Sequence, residues 1–104
     1  MTLKTLQEEV DKWAKQFKKP YWKPLSQMAR LAEETGEVAR EINHLYGDKK
    51  KRVETEKNLG DELADVLFTI CCIANSEGIS LQDYWDKMMK EKHYGRDNNR
   101  YEKK

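Results

Sequence analysis

Apolar residues recur every three or four positions along most of the chain, which is the spacing of amphipathic helices. No stretch alternates apolar and polar residues in the way that a half-buried strand does. Four helices are predicted, at about residues 5–18, 25–46, 54–77 (or 58–77) and 81–92. The pattern therefore favours an all-α fold in one domain that spans residues 1–104.

The predicted helix ends rest on local capping signals. Thr5 with Glu8 is expected to form a capping box at the start of the first helix, and Ser80 with Asp83 suggests the start of the fourth. The second and third helices are expected to stop at glycines, Gly47 and Gly78. Two prolines, Pro20 and Pro24, predict an extended loop between the first two helices.

Two acidic pairs stand out on helical wheels of the second and third helices. Glu34 and Glu37 lie at i, i+3 beside one edge of an apolar arc, and Glu62 and Asp65 repeat this arrangement at the same offset. If the two arcs face a shared core in an antiparallel pairing, both pairs lie along one edge of the helix–helix contact. Four carboxylates then meet near the middle of both helices.

Carboxylates that gather at one place repel each other and are costly to remove from water, so a cation must compensate for them. Hard divalent ions prefer oxygen ligands, and Mg²⁺ also binds substrate phosphates. Because neither pair includes a histidine, the di-iron bundle pattern of Glu-x-x-His is not matched. Mg²⁺ or Mn²⁺ fits this set of ligands best.

A solvated face is the alternative interpretation of each acidic pair, since glutamates at i, i+3 are common on exposed helices. Two equivalent pairs beside apolar arcs favour the metal site. Gly36 and Gly60 favour it a little further, because glycine inside a helix costs about 1 kcal/mol relative to alanine and so suggests room for a ligand. Gly60 also fits a position near a helix start.

Composition narrows the function further. The 104 residues carry 20 basic and 19 acidic side chains, without the basic excess of most nucleic-acid or membrane-surface binders. Cys71 and Cys72 are neighbours in an apolar run, which predicts reduced core cysteines. No stretch approaches the 18 apolar residues of a membrane span, and no signal peptide is recognisable. We expect a cytoplasmic protein.

Beyond the wheel pattern, Glu33-Glu34-Thr35-Gly36-Glu37, 24 residues and then Glu62-Leu63-Ala64-Asp65 resemble the signature of MazG-like nucleotide pyrophosphohydrolases. Further segments look like the short, single-domain YpjD-like branch of that family: residues 21–25, 28–31, 43–47, 65–68 and 96–101. The resemblance thus covers nearly the whole chain, and no acidic position departs from the pattern.

The resemblance implies a four-helix bundle completed by homo-oligomerisation, as a dimer or tetramer, with active sites shared between chains. It implies hydrolysis of nucleoside triphosphates between the α and β phosphates, which serves nucleotide-pool housecleaning. Four metal ligands follow from the motif positions, Glu34, Glu37, Glu62 and Asp65. Glu33, the first motif glutamate, is implied to activate the attacking water.

Substrate contacts are expected from aromatic and basic residues. Trp22, in its proline-flanked loop, is a candidate for nucleobase stacking, and Gln27 and Arg30 lie two turns and one turn before the acids. The C-terminal candidates for phosphate contacts are Lys87, Arg96, Arg100 and Tyr101, since arginine suits phosphate oxygens and relatives close this segment over the triphosphate. The basic run 49–52 is expected to be a solvated loop.

Two rival functions remain open on the sequence. A non-catalytic helical oligomerisation module with an acidic surface would tolerate amide substitutions at the acidic positions. A related enzyme, such as a dimeric dUTPase or a phosphoribosyl-ATP pyrophosphohydrolase, would share the motif and differ in substrate. The preferred base and sugar are not determined by these patterns.

Overall fold

The computed structural model describes residues 1–52 and 57–104. These residues contain no strand, and they form four α-helices followed by a π-helical segment. The elements are α1 (Leu3–Ala14), α2 (Pro24–Tyr46), α3 (Leu59–Ser76), α4 (Leu81–Met88) and the π-helical segment (Met89–Asp97). The predicted all-α fold is confirmed.

The first helix begins and ends earlier than predicted. Its capping box is formed by Thr2 and Thr5, not by Thr5 and Glu8. The Thr5 amide donates to Oγ1 of Thr2 at 3.1 Å, and the Thr2 amide donates to Oγ1 of Thr5 at 2.8 Å. The helix ends at Ala14, four residues before the predicted Lys18, and turns lead into the proline-flanked loop.

Most other predicted boundaries are confirmed. Glycines follow the ends of α2 and α3, and Gly78 adopts a φ of 67°, where an L side chain would be strained. Asn58 caps α3, while the alternative start at Glu54 lies outside the described residues. Ser80 caps α4, but the α-helical hydrogen bonds end at Met88 and continue as π-helical turns, where an α-helix to residue 92 was predicted.

The central unit is an antiparallel pair of α2 and α3, with α1 packed on α3 and α4 packed on α1. The direction follows from two contacts: Gln27, near the start of α2, donates to Oγ of Ser76 at the end of α3 at 3.1 Å, and Glu34, in the middle of α2, lies beside Glu62 in the first turn of α3. Four apolar residues are buried, Val10, Ala14, Cys71 and Ala74. Cys71 is therefore a free core cysteine, as predicted, and Cys72 is half-buried.

The contact between α2 and α3 is more polar than predicted. Its buried polar residues are Gln27, Glu41, Glu62 and Thr69. Large apolar side chains of the predicted arcs remain substantially exposed instead, including Met28 (58%), Ile42 (45%) and Leu63 (52%). Glu41 and Glu62 thus lie within the helix–helix contact, and the far side of each apolar arc is exposed in the part of the chain that the structure describes.

The dimensions agree with that unfilled core. The radius of gyration is 17.0 Å, whereas a compact domain of this length is expected at about 13 Å. The described residues thus bury fewer apolar side chains than a compact domain of this length does.

The helices were also compared with the requirements of a bilayer. Within the described residues, none has by itself the length and apolarity of a membrane span. Leu59–Ser76 and Leu81–Asp97, bent by 109° at their junction, meet that criterion of length and composition only as a pair.

Candidate active site

Three acidic side chains converge at the middle of the α2–α3 pair. Carboxylate oxygens of Glu34, Glu62 and Asp65 all lie within 4.8 Å of one another. Antiparallel packing places the middle of α2 opposite the first turns of α3, and the i, i+3 spacing puts Glu62 and Asp65 on one helix face. The structure thus brings together three of the four carboxylates proposed from the sequence as metal ligands.

Glu62 is the most buried member of this acidic cluster, at 5% exposure. Its Oε2 has no hydrogen-bond partner among the described residues. Burial raises the pKa of Glu62 above its usual range, and the charges of Glu37, Asp65 and Glu34 raise it further, while Lys57 lowers it. A buried carboxylate oxygen without a donor is a position that a cation would satisfy.

An ammonium group lies beside Glu62 and Asp65 in this structure. Nζ of Lys57 is 2.6 Å from Oδ2 of Asp65 and 4.0 Å from Oε1 of Glu62. The hydrogen bond to Asp65 raises the pKa of Lys57. This stand-in cation, the unpaired oxygen of Glu62 and the all-oxygen donor set fit a hard divalent cation.

The remaining motif glutamates lie at the border of the cluster. Glu37 is half-exposed, contacts Arg40 at 3.8 Å and lines the same cavity as Glu34 and Glu62. Glu33 is exposed and does not line that cavity. The structure therefore leaves the proposed role of Glu33 in water activation as a prediction.

The acidic cavity measures about 320 Å³. It is lined by Glu34, Glu37, Arg40, Glu41, Lys51, Lys57 and Glu62. The lining of the acidic cavity thus contains four carboxylates and three cations. The sequence did not predict a role for Lys57 in this cavity. Lys57 directly precedes Asn58, the cap of α3.

This cavity contains a buried ion pair that the sequence did not predict. Nζ of Lys51 lies 2.5 Å from Oε2 of Glu41, and the two side chains are 6% and 8% exposed. The basic run 49–52 was expected to be solvated, and for Lys51 that prediction is wrong. The spacing of seven residues places Glu41 on the face of α2 that carries Glu34, but nothing in this spacing indicates that Lys51 pairs with it.

A second, aromatic pocket of about 260 Å³ adjoins the cluster on the N-terminal side of α2. Its aromatic lining consists of Trp13, Phe17, Tyr21, Trp22 and Phe68. The guanidinium of Arg30 lies 5.1 Å from the ring centroid of Trp22 and 5.4 Å from that of Phe68, and it contacts Glu34 at 3.9 Å. Arg30 therefore connects this pocket to the acidic cluster.

Gln27 lines the same pocket and is 4% exposed. Its Nε2 donates to the Trp22 carbonyl at 2.6 Å and to Ser76 at 3.1 Å. Its Oε1 has no partner among the described residues. The sequence-proposed substrate residues Trp22, Gln27 and Arg30 are thus brought to one pocket, with one acceptor unsatisfied.

A hydrogen-bond network holds the loop that carries Trp22. The Tyr21 hydroxyl donates to Oδ1 of Asp11 at 2.5 Å and accepts from Nδ2 of Asn75 at 3.1 Å. Burial, together with the hydrogen bond to Asp11, raises the pKa of Tyr21 to about 12. The loop is therefore fixed to both α1 and α3.

The C-terminal candidates lie elsewhere in this chain. Arg96 and Arg100 contact Asp97 at 3.0 and 3.6 Å, and the pKa of Asp97 is lowered chiefly by its hydrogen bond to Arg96. Lys87 and Tyr101 are exposed, and none of these four proposed residues lines the acidic cavity or the aromatic pocket. Their contact with substrate stays a prediction.

The model of the MazG nucleotide pyrophosphohydrolase domain matches residues 23–101, which includes α2, α3 and the acidic cluster.

Two proteins of Bacillus subtilis strain 168 are similar in sequence. YpjD is 49% identical over 104 residues, which covers 99% of this chain and 93% of YpjD. YvdC is 35% identical over 86 residues, which covers 72% of this chain and 81% of YvdC.

Two crystal structures resemble the fold. That of YpjD from Bacillus subtilis superimposes with a TM-score of 0.79 at 49% identity and covers 89% of this chain and 96% of its own. That of the Bacillus-conserved MazG protein, a nucleotide pyrophosphohydrolase, has a TM-score of 0.76 at 44% identity, with 88% of each chain covered.

Proposed function

The chain belongs to the MazG nucleotide pyrophosphohydrolase family, and from this premise we propose that it cleaves nucleoside triphosphates between the α and β phosphates. The products are a nucleoside monophosphate and pyrophosphate. The chain is a hydrolase of nucleotide pyrophosphate bonds, while the choice of triphosphates and of this bond is the proposal. Nucleotide-pool housecleaning in the cytoplasm is the role that we propose for it.

The observation that carries the proposal is the buried, unsatisfied Glu62 beside Glu34 and Asp65. These three carboxylates would hold Mg²⁺, or Mn²⁺, with Glu37 completing the set from the border of the cavity. When bound, such an ion neutralises charge on phosphate oxygens and lowers the pKa of a coordinated water. The carboxylates contribute by fixing the position of the ion between two rigid helices.

Two neighbouring residues are proposed to support the reaction. Glu33 is one residue before the cluster on α2 and is exposed, so its carboxylate is available to accept a proton from the attacking water. Lys57 leaves its position between Glu62 and Asp65 when the ion binds, because both cations need the same oxygens.

The aromatic pocket is proposed to hold the nucleobase. At about 260 Å³ it lies just below the range of about 300–1,000 Å³ typical of pockets for drug-sized ligands, which suits one part of a nucleotide. Trp22 offers a half-exposed ring face, and Oε1 of Gln27 offers an acceptor for a base N–H. Arg30 lies between the pocket and Glu34, where it would contact the sugar or the α phosphate.

A homo-oligomer is the proposed functional state. Half-exposed apolar side chains on α2 and α3 and a radius of gyration of 17.0 Å support a second copy that covers these helices. The C-terminal residues Lys87, Arg96, Arg100 and Tyr101 would then act on the site of a neighbouring copy.

The test is a hydrolysis assay on the purified protein with Mg²⁺ and a panel of NTPs and dNTPs that includes dUTP and phosphoribosyl-ATP. Pyrophosphate release is expected, and orthophosphate release would contradict the bond assignment. Glu34→Gln is expected to abolish turnover with helicity intact, whereas Glu8→Gln, an exposed acid on α1, serves as the matched control. Full turnover in Glu34→Gln would favour the non-catalytic oligomerisation module.

A further inference from the structure

A basic groove lies beside the C-terminal half of α2, and none of the four proposed metal ligands lines it. The groove measures about 520 Å³. Among the described residues, its charged and amide lining consists of Arg40, Asn43, Lys49, Lys50, Lys51 and Arg52, without a carboxylate. Five cations around one concave surface are an electrostatic trap for a multivalent anion.

The basic groove is continuous with the acidic cavity. Arg40 and Lys51 line both of them. A ligand held by the carboxylates on one side therefore meets cations on the other side within the same surface. The lining also includes two small residues, Gly36 and Ala39. A Cβ added at Gly36 would meet nothing within 4 Å, so the junction of the two cavities has room for a ligand.

The loop that supplies the cations is tied to α2. Nζ of Lys50 donates to the carbonyl of His44 at 2.8 Å, and the amide of Lys51 donates to Nδ1 of His44 at 3.0 Å. The side chain of Lys51 is buried against Glu41. The groove is therefore a formed structure and requires little ordering of the loop when an anion binds.

The charge in the groove is only partly compensated. Arg40 contacts Glu37 at 3.8 Å, and Lys51 is paired with Glu41. Lys49, Lys50 and Arg52 have no carboxylate within salt-bridge distance among the described residues. Three positive charges that no described carboxylate compensates match the terminal phosphates of a nucleotide better than a neutral or basic ligand.

From this geometry we propose that the basic groove binds the β and γ phosphates of the substrate and then the pyrophosphate product. The inference rests on the proposed function and adds a direction to it. The base lies beside Gln27 and Arg30, the scissile bond at the acidic cluster and the terminal phosphates beyond Arg40. Gln27 and Arg40 are thirteen positions apart on α2, which is about 20 Å along the helix axis. This distance is similar to the length of an extended nucleoside triphosphate.

The experiment is a titration of the ¹⁵N-labelled protein with inorganic pyrophosphate in metal-free buffer, followed by amide shifts. Lys49→Gln/Arg52→Gln removes two cations that form no side-chain hydrogen bond or salt bridge with another described residue. Lys12→Gln/Lys90→Gln, which removes two exposed cations of α1 and the π-helical segment, is the matched control for net charge.

We expect wild-type shifts to concentrate on Arg40 and residues 49–52, and we expect the groove variant to bind pyrophosphate at least about tenfold more weakly, with the control unchanged. Equal weakening in both variants, no detectable binding, or shifts confined to Arg96 and Arg100 would overturn the proposal. So would a duplex oligonucleotide that binds the groove while pyrophosphate does not.

The hydrolysis assay separates this inference from the proposed function. Wild-type turnover with an unchanged KM in the groove variant would reject the groove and leave the activity standing. Absence of turnover with every triphosphate would reject the proposed function, whatever the pyrophosphate titration shows.

Discussion

The two buried glutamates of the α2–α3 contact are expected to respond in opposite directions when each is changed to glutamine. Glu62 lies among like charges and has an unsatisfied oxygen, whereas Glu41 is paired with a buried lysine. Glu62→Gln removes repulsion from the metal-free protein and should stabilise it. Glu41→Gln leaves the charge of Lys51 without its partner and should destabilise it.

The magnitudes follow from the distances. At 4.8 Å and an effective dielectric constant of about 20, each like-charge neighbour of Glu62 repels it by about 3.5 kcal/mol. The attraction to Lys57 at 4.0 Å and the screening of the partly exposed Asp65 offset much of this repulsion. We therefore expect Glu62→Gln to raise the free energy of unfolding by about 1–3 kcal/mol, and Glu41→Gln to lower it by about 3 kcal/mol.

The assay is urea unfolding followed by circular dichroism, at one protein concentration, with EDTA and then with Mn²⁺. A ligand at 100 times its Kd adds about 2.7 kcal/mol to the stability of the state that binds it. Wild-type protein and Glu41→Gln should show this increase, and Glu62→Gln should lose most of it.

A metal-free Glu62→Gln protein that is less stable than wild type would refute the reasoning, because Glu62 would then be stabilised in place by contacts other than a cation. Equal shifts for both variants would show that the contrast between a clustered and a paired glutamate has no energetic consequence.

Three further changes test other parts of the structure. Because burial raises the pKa of Glu62, Mn²⁺ affinity measured by calorimetry should fall as the pH is lowered toward that pKa. In the metal-free protein, the free energy of unfolding should instead fall as the pH rises through the same range. Glu62→Gln should remove this pH dependence of stability. Tyr21→Phe should cost about 1 kcal/mol near neutral pH in urea unfolding, and the difference from wild type should shrink as the pH rises above about 10, because the folded protein keeps the Tyr21 proton up to a pKa of about 12. In thermal melts, Gly36→Ala should stabilise the protein by about 1 kcal/mol, since the added Cβ meets nothing within 4 Å. Gly78→Ala should destabilise the protein by about 1 kcal/mol, because Gly78 has a φ of 67°. A stability change of the same sign at both glycines would contradict this.

The acidic cluster was predictable because its cause is local. Residues three apart on a helix share a face, and two matching pairs meet when the helices run antiparallel, so Glu34, Glu62 and Asp65 could be placed together before the fold was known. The pair of Glu41 and Lys51 was not predictable in this way. Its burial depends on which edge of the apolar arc faces α3 and on the path of a loop, and neither is encoded in helical spacing.

Local signals in the sequence account for the helices, their ends near Gly47 and Gly78, and the spacing of the acids, because hydrogen bonds and side-chain directions within one or two turns set these features. Three other features follow only from the packing of distant segments: the polar α2–α3 contact, the place of Lys57 beside Glu62 and Asp65, and the separation of the C-terminal arginines from the acids. These features depend on contacts between residues that are distant in the chain. Either edge of an apolar arc could face the neighbouring helix, and only the packing of the whole chain selects one of them.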